Sequence, residues 1–231
     1  MDWLARQVRK RAAAPALADH ESVMTWSELA AAAAVAGERL QAHGIGPGTT
    51  VLWEAHATCT SLAWLHGAFR VGATILPFRP GLAIAARRSL ADRSGAAVHL
   101  STDGASLGRD AVRDLVMVDP SNGVASGSVP PPVGPERTAT LMPTSGSGGP
   151  AKLVPLRWRH HEASVRAIRR RLALSADDRW LVCLPLHHIG GLAIVLRAAF
   201  TGAGVSLHER FDAERVAEAL EQASITHASL V

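Results

Sequence analysis

Residues 138–155 read TATLMPTSGSGGPAKLVP, and the reading of this stretch decides the fold. Thr138 to Thr144 predicts a strand, and Ser145-Gly146-Ser147-Gly148-Gly149-Pro150-Ala151-Lys152 predicts a loop. Four readings compete for that loop. A Walker A loop counted from Gly146 needs glycine at 151 and Ser or Thr at 153, where the chain has Ala151 and Leu153. A dinucleotide fingerprint is matched by Gly146, Gly148 and Ala151, but it must open a helix. Pro150 and Pro155 disfavour a helix through the region, and no acidic residue follows about 20 positions on. A plain flexible loop is the third reading. The fourth is a phosphate cradle of another kind. Thr144, Ser145 and Ser147 bring hydroxyls, Gly146, Gly148 and Gly149 let backbone N–H groups approach an anion, and Lys152 adds a mobile cation for terminal phosphates.

Around this stretch, helical and extended segments alternate. Helices are predicted at 2–13, 27–43, 61–71, 80–94, 156–172, 191–200 and 213–222. Strands are predicted at 16–20, 22–26, 51–57, 73–77, 97–101, 114–118, 138–144, 180–185, 204–208 and 225–231. Thr25 and Glu28 have the spacing of a capping box, and Asp212 is placed to cap the helix that follows it. The alternation predicts an α/β fold with mostly parallel sheets flanked by helices. Residues 121–137, rich in Pro, Gly and Ser, read as a linker between a first α/β segment, 1–120, and a second, 138–231.

Composition narrows the function. The chain has 231 residues, 48% hydrophobic and 19% charged, which is globular. No run of 18 apolar residues lacks a charge, so no membrane span is predicted, and the N-terminus lacks the apolar core of a secretory signal. Two distant cysteines, Cys59 and Cys183, suggest a reducing, cytoplasmic setting. The formal net charge of +4 does not argue for nucleic acid, because the 24 basic residues include only two lysines, a coding-type arginine bias. Tyr is absent, so a base-stacking platform has little material. Arg166, Arg169 and Arg170 share a helix face, read as solvated. Lys152 stands out against the arginine bias, because a compact ammonium differs from a planar guanidinium.

A second segment, Leu184-Pro185-Leu186-His187-His188-Ile189-Gly190-Gly191-Leu192, follows a predicted buried strand. Cys183, His187 and His188 could ligate a metal, although adjacent histidines rarely both reach one ion. A structural histidine at a strand end is the plainer reading.

Residues 144–154, TSGSGGPAKLV, resemble the signature loop of the adenylate-forming superfamily of acyl-CoA synthetases, usually Thr-Ser-Gly-[Thr/Ser]-Thr-Gly-x-Pro-Lys-Gly-Val. Thr144, Ser145, Gly146, Ser147, Gly149, Lys152 and Val154 match; Gly148, Ala151 and Leu153 depart from it. The segments Thr25 to Leu29, Gly44 to Gly48, and Trp64 to Ala68 with Gly72-Ala73 extend the resemblance over essentially the whole chain. Within the superfamily, Leu184 to Leu192 is most similar to the o-succinylbenzoate–CoA ligase branch, which serves menaquinone biosynthesis.

The resemblance implies an ATP-dependent acid–CoA ligase that adenylates a carboxylic acid and then forms a thioester, with ATP and Mg²⁺ used and CoA as cosubstrate. It implies that Thr144, Ser145, Gly146, Ser147, Gly148, Gly149 and Lys152 bind the phosphates, with Lys152 and His188 catalytic. It places His188 at the mouth of the acid site, Gly190 and Gly191 where they leave room for the acid, and Arg197 where it holds a second carboxylate. The family's Tyr-Gly-x-Thr-Glu and Thr-Gly-Asp segments and its lid domain are not found in the sequence. The expectation is therefore an N-terminal portion, inactive alone.

Overall fold

The computed structural model describes residues 3–108, 110, 112–120, 125, 133–144, 152–221 and 224–230. Its elements run α1 (Trp3–Arg11), β1 (Pro15–Ala18), β2 (Val23–Thr25), α2 (Trp26–Ala42), β3 (Thr50–Glu54), α3 (Cys59–Arg70), β4 (Thr74–Phe78), α4 (Ile84–Ser94), β5 (Ala96–Ser101) and β6 (Arg113–Val116). They continue with β7 (Thr138–Thr144), β8 (Lys152–Arg157), α5 (Trp158–Leu172), β9 (Arg179–Val182), α6 (Ile189–Thr201), β10 (Gly204–Leu207), α7 (Ala213–Glu221) and β11 (His227–Ala228). The capping box is formed as its spacing predicts. The Glu28 N–H donates to Thr25 Oγ1 at 3.2 Å, and the Thr25 N–H donates to the Glu28 carboxylate at 2.8 Å. Asp212 accepts from the Arg215 N–H at 3.1 Å.

Among the described residues the strands form two sheets, in the orders β11-β9-β10-β1-β2 and β6-β5-β3-β4-β7-β8. All pairings are parallel except β1 with β2 and β7 with β8. This is the expected mixed α/β architecture. Each sheet draws strands from both sides of residues 121–137. That segment joins β6 to β7 within one sheet, and most of it lies outside the described residues.

The sheets are joined through helices. α2 packs on β1 and β2, α3 packs on β3 and β4, and the two helices pack on each other. Gly67 permits this close approach, because a Cβ there would lie 2.8 Å from the Ala33 carbonyl oxygen. An aromatic cluster closes one side of the core. Trp3 of α1 lies 4.5 Å from Trp158 of α5 and 5.3 Å from Phe200 of α6, and Trp158 lies 4.8 Å from Phe69 of α3. Four helices are thereby fixed around one apolar contact.

β8 departs from the sequence expectation. Residues from Leu156 were expected to be helical, but Lys152–Arg157 forms the edge strand of the second sheet and the helix begins at Trp158. The start is set locally, by Arg157 in extended conformation and its N–H donating to His160 Nδ1 at 3.1 Å. Pro155 is tolerated because an edge strand has no second neighbour to receive its missing N–H. β11 is shorter than the expected 225–231.

Candidate active site

The glycine-rich loop is the connection of a hairpin. Thr144 and Lys152 are register partners at its mouth, and Thr144 Oγ1 donates to the Lys152 carbonyl at 3.4 Å. Both residues are exposed. The chain therefore runs strand–loop–strand, not the strand–loop–helix a dinucleotide fingerprint requires. Ser145, Gly146, Ser147, Gly148 and Gly149 lie outside the described residues.

The two histidines of the second segment part company. His188 is the N-cap of α6, with φ −105° and ψ 148°, and its carbonyl accepts the Leu192 N–H at 3.1 Å. Its side chain makes no capping bond, its ring lies 4.2 Å from that of His187, and the residue is exposed. His187 is half-buried and its Nδ1 has no hydrogen-bond partner. Burial, followed by the nearby His188 and Arg79, pushes its pKa down to about 4, so the ring is neutral at pH 7. His187 lines a cavity of about 540 Å³ between the sheets, together with Arg79, Arg210 and Phe211. Among the described residues no group of three metal-ligating side chains comes together, and Cys183 is buried with its thiol against the Ser229 carbonyl.

Gly190 and Gly191 serve different ends. A Cβ on Gly190 would meet nothing nearer than 3.7 Å, whereas one on Gly191 would lie 2.5 Å from the Pro185 carbonyl oxygen and 2.7 Å from that of Leu184. The space at Gly191 is filled by the chain's own backbone, which corrects the expectation that it leaves room for an acid. Gly190 keeps that role open.

α5 and α6 pack together, and a cavity of about 250 Å³ between them brings Gly190 and Arg197 into one site. Arg197 is half-buried, its Nε has no hydrogen-bond partner, and burial lowers its pKa. Its guanidinium carbon lies 5.9 Å from the centre of the Trp180 ring, a cation–π contact that holds the head group in place. Burying a guanidinium is costly unless an anion or hydrogen bonds compensate it.

His161 and Ser164 of α5 line the same cavity and were not anticipated. The spacing of Trp158, His161, Val165 and Ile168 puts them on one helix face, so periodicity could have found His161. His161 is buried, its Nε2 lies 3.1 Å from Thr140 Oγ1, and burial pushes its pKa down to about 4.

A further unanticipated cluster stands where the strand order of the second sheet reverses, beyond the ends of β3 and β5. The buried Glu54 carboxylate accepts from the Thr102 N–H and hydroxyl, both at 2.8 Å, and lies 3.5 Å from His56 Nε2 and 3.6 Å from Arg87. Burial alone would raise its pKa, but the His56 and Thr102 contacts pull it down to about 2. His56 also reaches across to Glu209, after β10 in the other sheet, at 3.6 Å.

This architecture and loop place the chain in a known class. The model of the AMP-binding enzyme family matches residues 4–231, and the chain belongs to that family. A stretch of 93 residues is 41% identical to the 2-succinylbenzoate–CoA ligase of Staphylococcus aureus strain JH9, covering 40% of this chain and 19% of that protein. Among solved structures, the o-succinylbenzoate coenzyme A synthetase (MenE) of Bacillus subtilis in complex with ATP and magnesium ion superposes with a TM-score of 0.90 and 25% identity. That match covers 99% of this chain and 49% of that one. The same enzyme with the acyl-adenylate intermediate OSB-AMP gives a TM-score of 0.88 and 26% identity, covering 99% of this chain and 61% of that one. The chain thus spans roughly half to three-fifths of the solved chains it matches.

Proposed function

We propose that these residues form the phosphate-loop and acid-binding part of an ATP-dependent acid–CoA ligase whose acid is o-succinylbenzoate, a step of menaquinone biosynthesis. The observation that carries this reading is Arg197. It is half-buried with an unpartnered Nε, and it shares a cavity with Gly190, two residues beyond His188. Such a group suits the second carboxylate of a dicarboxylic acid.

In the proposed reaction the first carboxylate attacks the α-phosphate of ATP and pyrophosphate leaves; the thiol of CoA then attacks the acyl carbon of the acyl-adenylate, forming the thioester and releasing AMP. Acceleration comes from positioning and charge neutralisation, with no protein nucleophile. Lys152 and Thr144, at the hairpin mouth, hold the departing phosphates together with residues 145–149. His188, exposed at the start of α6, orients the reacting carboxylate. Mg²⁺ would share the charge of the departing pyrophosphate. The two steps are proposed for these residues in company with the part of the relatives outside the match, and in the cytoplasm. Among the described residues no helix is long and apolar enough to cross a membrane.

The test is acid-dependent pyrophosphate release by a protein carrying these residues and the remainder of the ligase, with o-succinylbenzoate, benzoate and fatty acids. Preference for o-succinylbenzoate is expected. Equal or better turnover of the others would overturn the choice of acid.

A further inference from the structure

His56 stands between two carboxylates that belong to different sheets. Its Nε2 lies 3.5 Å from Glu54, at the end of β3, and its Nδ1 lies 3.6 Å from Glu209, after β10. Nε2 also lies 3.3 Å from Thr102 Oγ1. The Thr102 hydroxyl has a single hydrogen, which it donates to the charged Glu54 oxygen at the shorter distance of 2.8 Å. Toward the ring it can therefore only accept, so Nε2 carries a proton. Nδ1 is the position that titrates, and it faces Glu209. The doubly protonated ring presents an N–H to each acid. The neutral ring turns a lone pair toward the Glu209 carboxylate.

The two acids are not equally free to leave. The Glu54 side chain is 3% exposed and is held by Thr102, by the Gly81 N–H at 3.4 Å and by Arg87, itself paired with Asp103 at 2.8 Å. The Glu209 side chain is 52% exposed, and His56 is its ion-pair partner among the described residues. Glu209 also lines the cavity of about 540 Å³ between the sheets, as do Ala55 and Ala57, the chain neighbours of His56. Other charged or titratable groups stand nearby. Arg79, His187 and Arg210 line the same cavity, and Asp19, His20, His208, Asp212 and Arg215 surround a second one that Glu209 also lines. The charges that raise the pKa of the ring are those of Glu54 and Glu209.

We infer that His56 is a pH-sensitive clasp between the two sheets: its imidazolium ties Glu209 to Glu54, and loss of the Nδ1 proton releases Glu209 and frees residues 208–212, one wall of the inter-sheet cavity, while Glu54 stays in place. An ordinary imidazole titrates near 6.5 and this one is raised, so release comes as pH rises above about 6.5.

The experiment is a pH titration of the 231-residue chain with two readouts. Nitrogen-15 NMR of the His56 ring, assigned by the loss of its signals in His56→Gln, is expected to show the Nε2–H tautomer at high pH. A spin label on Phe211→Cys reports the mobility of the 208–212 segment. Phe211 is exposed, and the native Cys59 and Cys183 are buried, so the label goes to the introduced thiol. The label is expected to loosen with the same midpoint as the His56 ring, and the step is expected to vanish when His56→Gln is added. Glu209→Gln is expected to shift the midpoint of the ring downward and to leave its high-pH tautomer unchanged. The inference is overturned by an Nδ1–H tautomer at high pH, by a label whose mobility does not follow the His56 titration, by a step that survives His56→Gln, or by a midpoint that Glu209→Gln leaves in place.

Discussion

Thr144 and Lys152 face one another as register partners at the open end of the β7–β8 hairpin, joined by a 3.4 Å hydrogen bond from the threonine hydroxyl to the lysine carbonyl. The pairing fixes the backbone of Lys152 and leaves its ammonium exposed. Lys152→Ala therefore leaves the fold unchanged. In a protein carrying the complete ligase it is expected to slow single-turnover adenylation by about 100-fold or more, as loss of one preorganised donor does elsewhere. Thioester formation from preformed acyl-adenylate should slow far less. An unchanged adenylation rate would remove the lysine from the phosphate site.

Arg197 is expected to show opposite effects on binding and stability. Arg197→Met removes a half-buried guanidinium whose Nε has no partner, so thermal stability should hold or rise. Affinity for a dicarboxylic acid should fall about 10- to 100-fold, the worth of a charged hydrogen bond. A loss of stability with unchanged affinity would mark the residue as structural.

His56 makes stability depend on pH. Its hydrogen bond with Glu54 comes first among the causes that raise its pKa; burial opposes it, and the charges of Glu54 and Glu209 add to it. The folded form binds the proton more tightly than the unfolded chain, so the contribution is fully present below about pH 6.5 and is lost as pH rises through the raised value. Urea denaturation of the parent chain should show this decline as pH rises above about 6.5, and His56→Gln should flatten it. Glu54, held down to about 2, contributes in the opposite sense, from its ordinary carboxylate range upward, and loses that contribution only in strong acid.

Neighbouring glycines give a sharp contrast. Gly191→Ala would set a Cβ 2.5 Å from the Pro185 carbonyl oxygen and should destabilise the chain by about 1–3 kcal/mol. Gly190→Ala meets nothing closer than 3.7 Å and should leave the chemical denaturation midpoint nearly unchanged. Under the proposed function its effect falls on acid binding.

Much of the fold was legible because it is written in local chemistry. Thr25 and Glu28 announce a helix start through side chains three residues apart, and Asp212 does the same for α7. β8 was not legible for a physical reason: Pro155 reads as a breaker, and only its position at a sheet edge, a tertiary fact, makes it harmless. The cavity between α5 and α6 was half legible. Gly190 and Arg197 lie in one segment, whereas Ser164 and His161 come from a helix more than 20 residues earlier and meet them only through packing of α5 on α6. The Glu54 cluster was invisible for the same reason, since His56, Thr102, Arg87 and Glu209 converge from separate parts of the chain.

The strand order of the first sheet also constrains when the protein can fold. β1 pairs with β10, Leu17 opposite Val205, so the earliest strand finds its parallel partner only about 190 residues later. At roughly 5–20 residues per second of synthesis, that strand waits on the ribosome for about 10 to 40 s. Its antiparallel partner β2 is the one neighbour made alongside it. The apolar Ala16 and Leu17, fully covered in the finished sheet, spend that interval without β10 beside them.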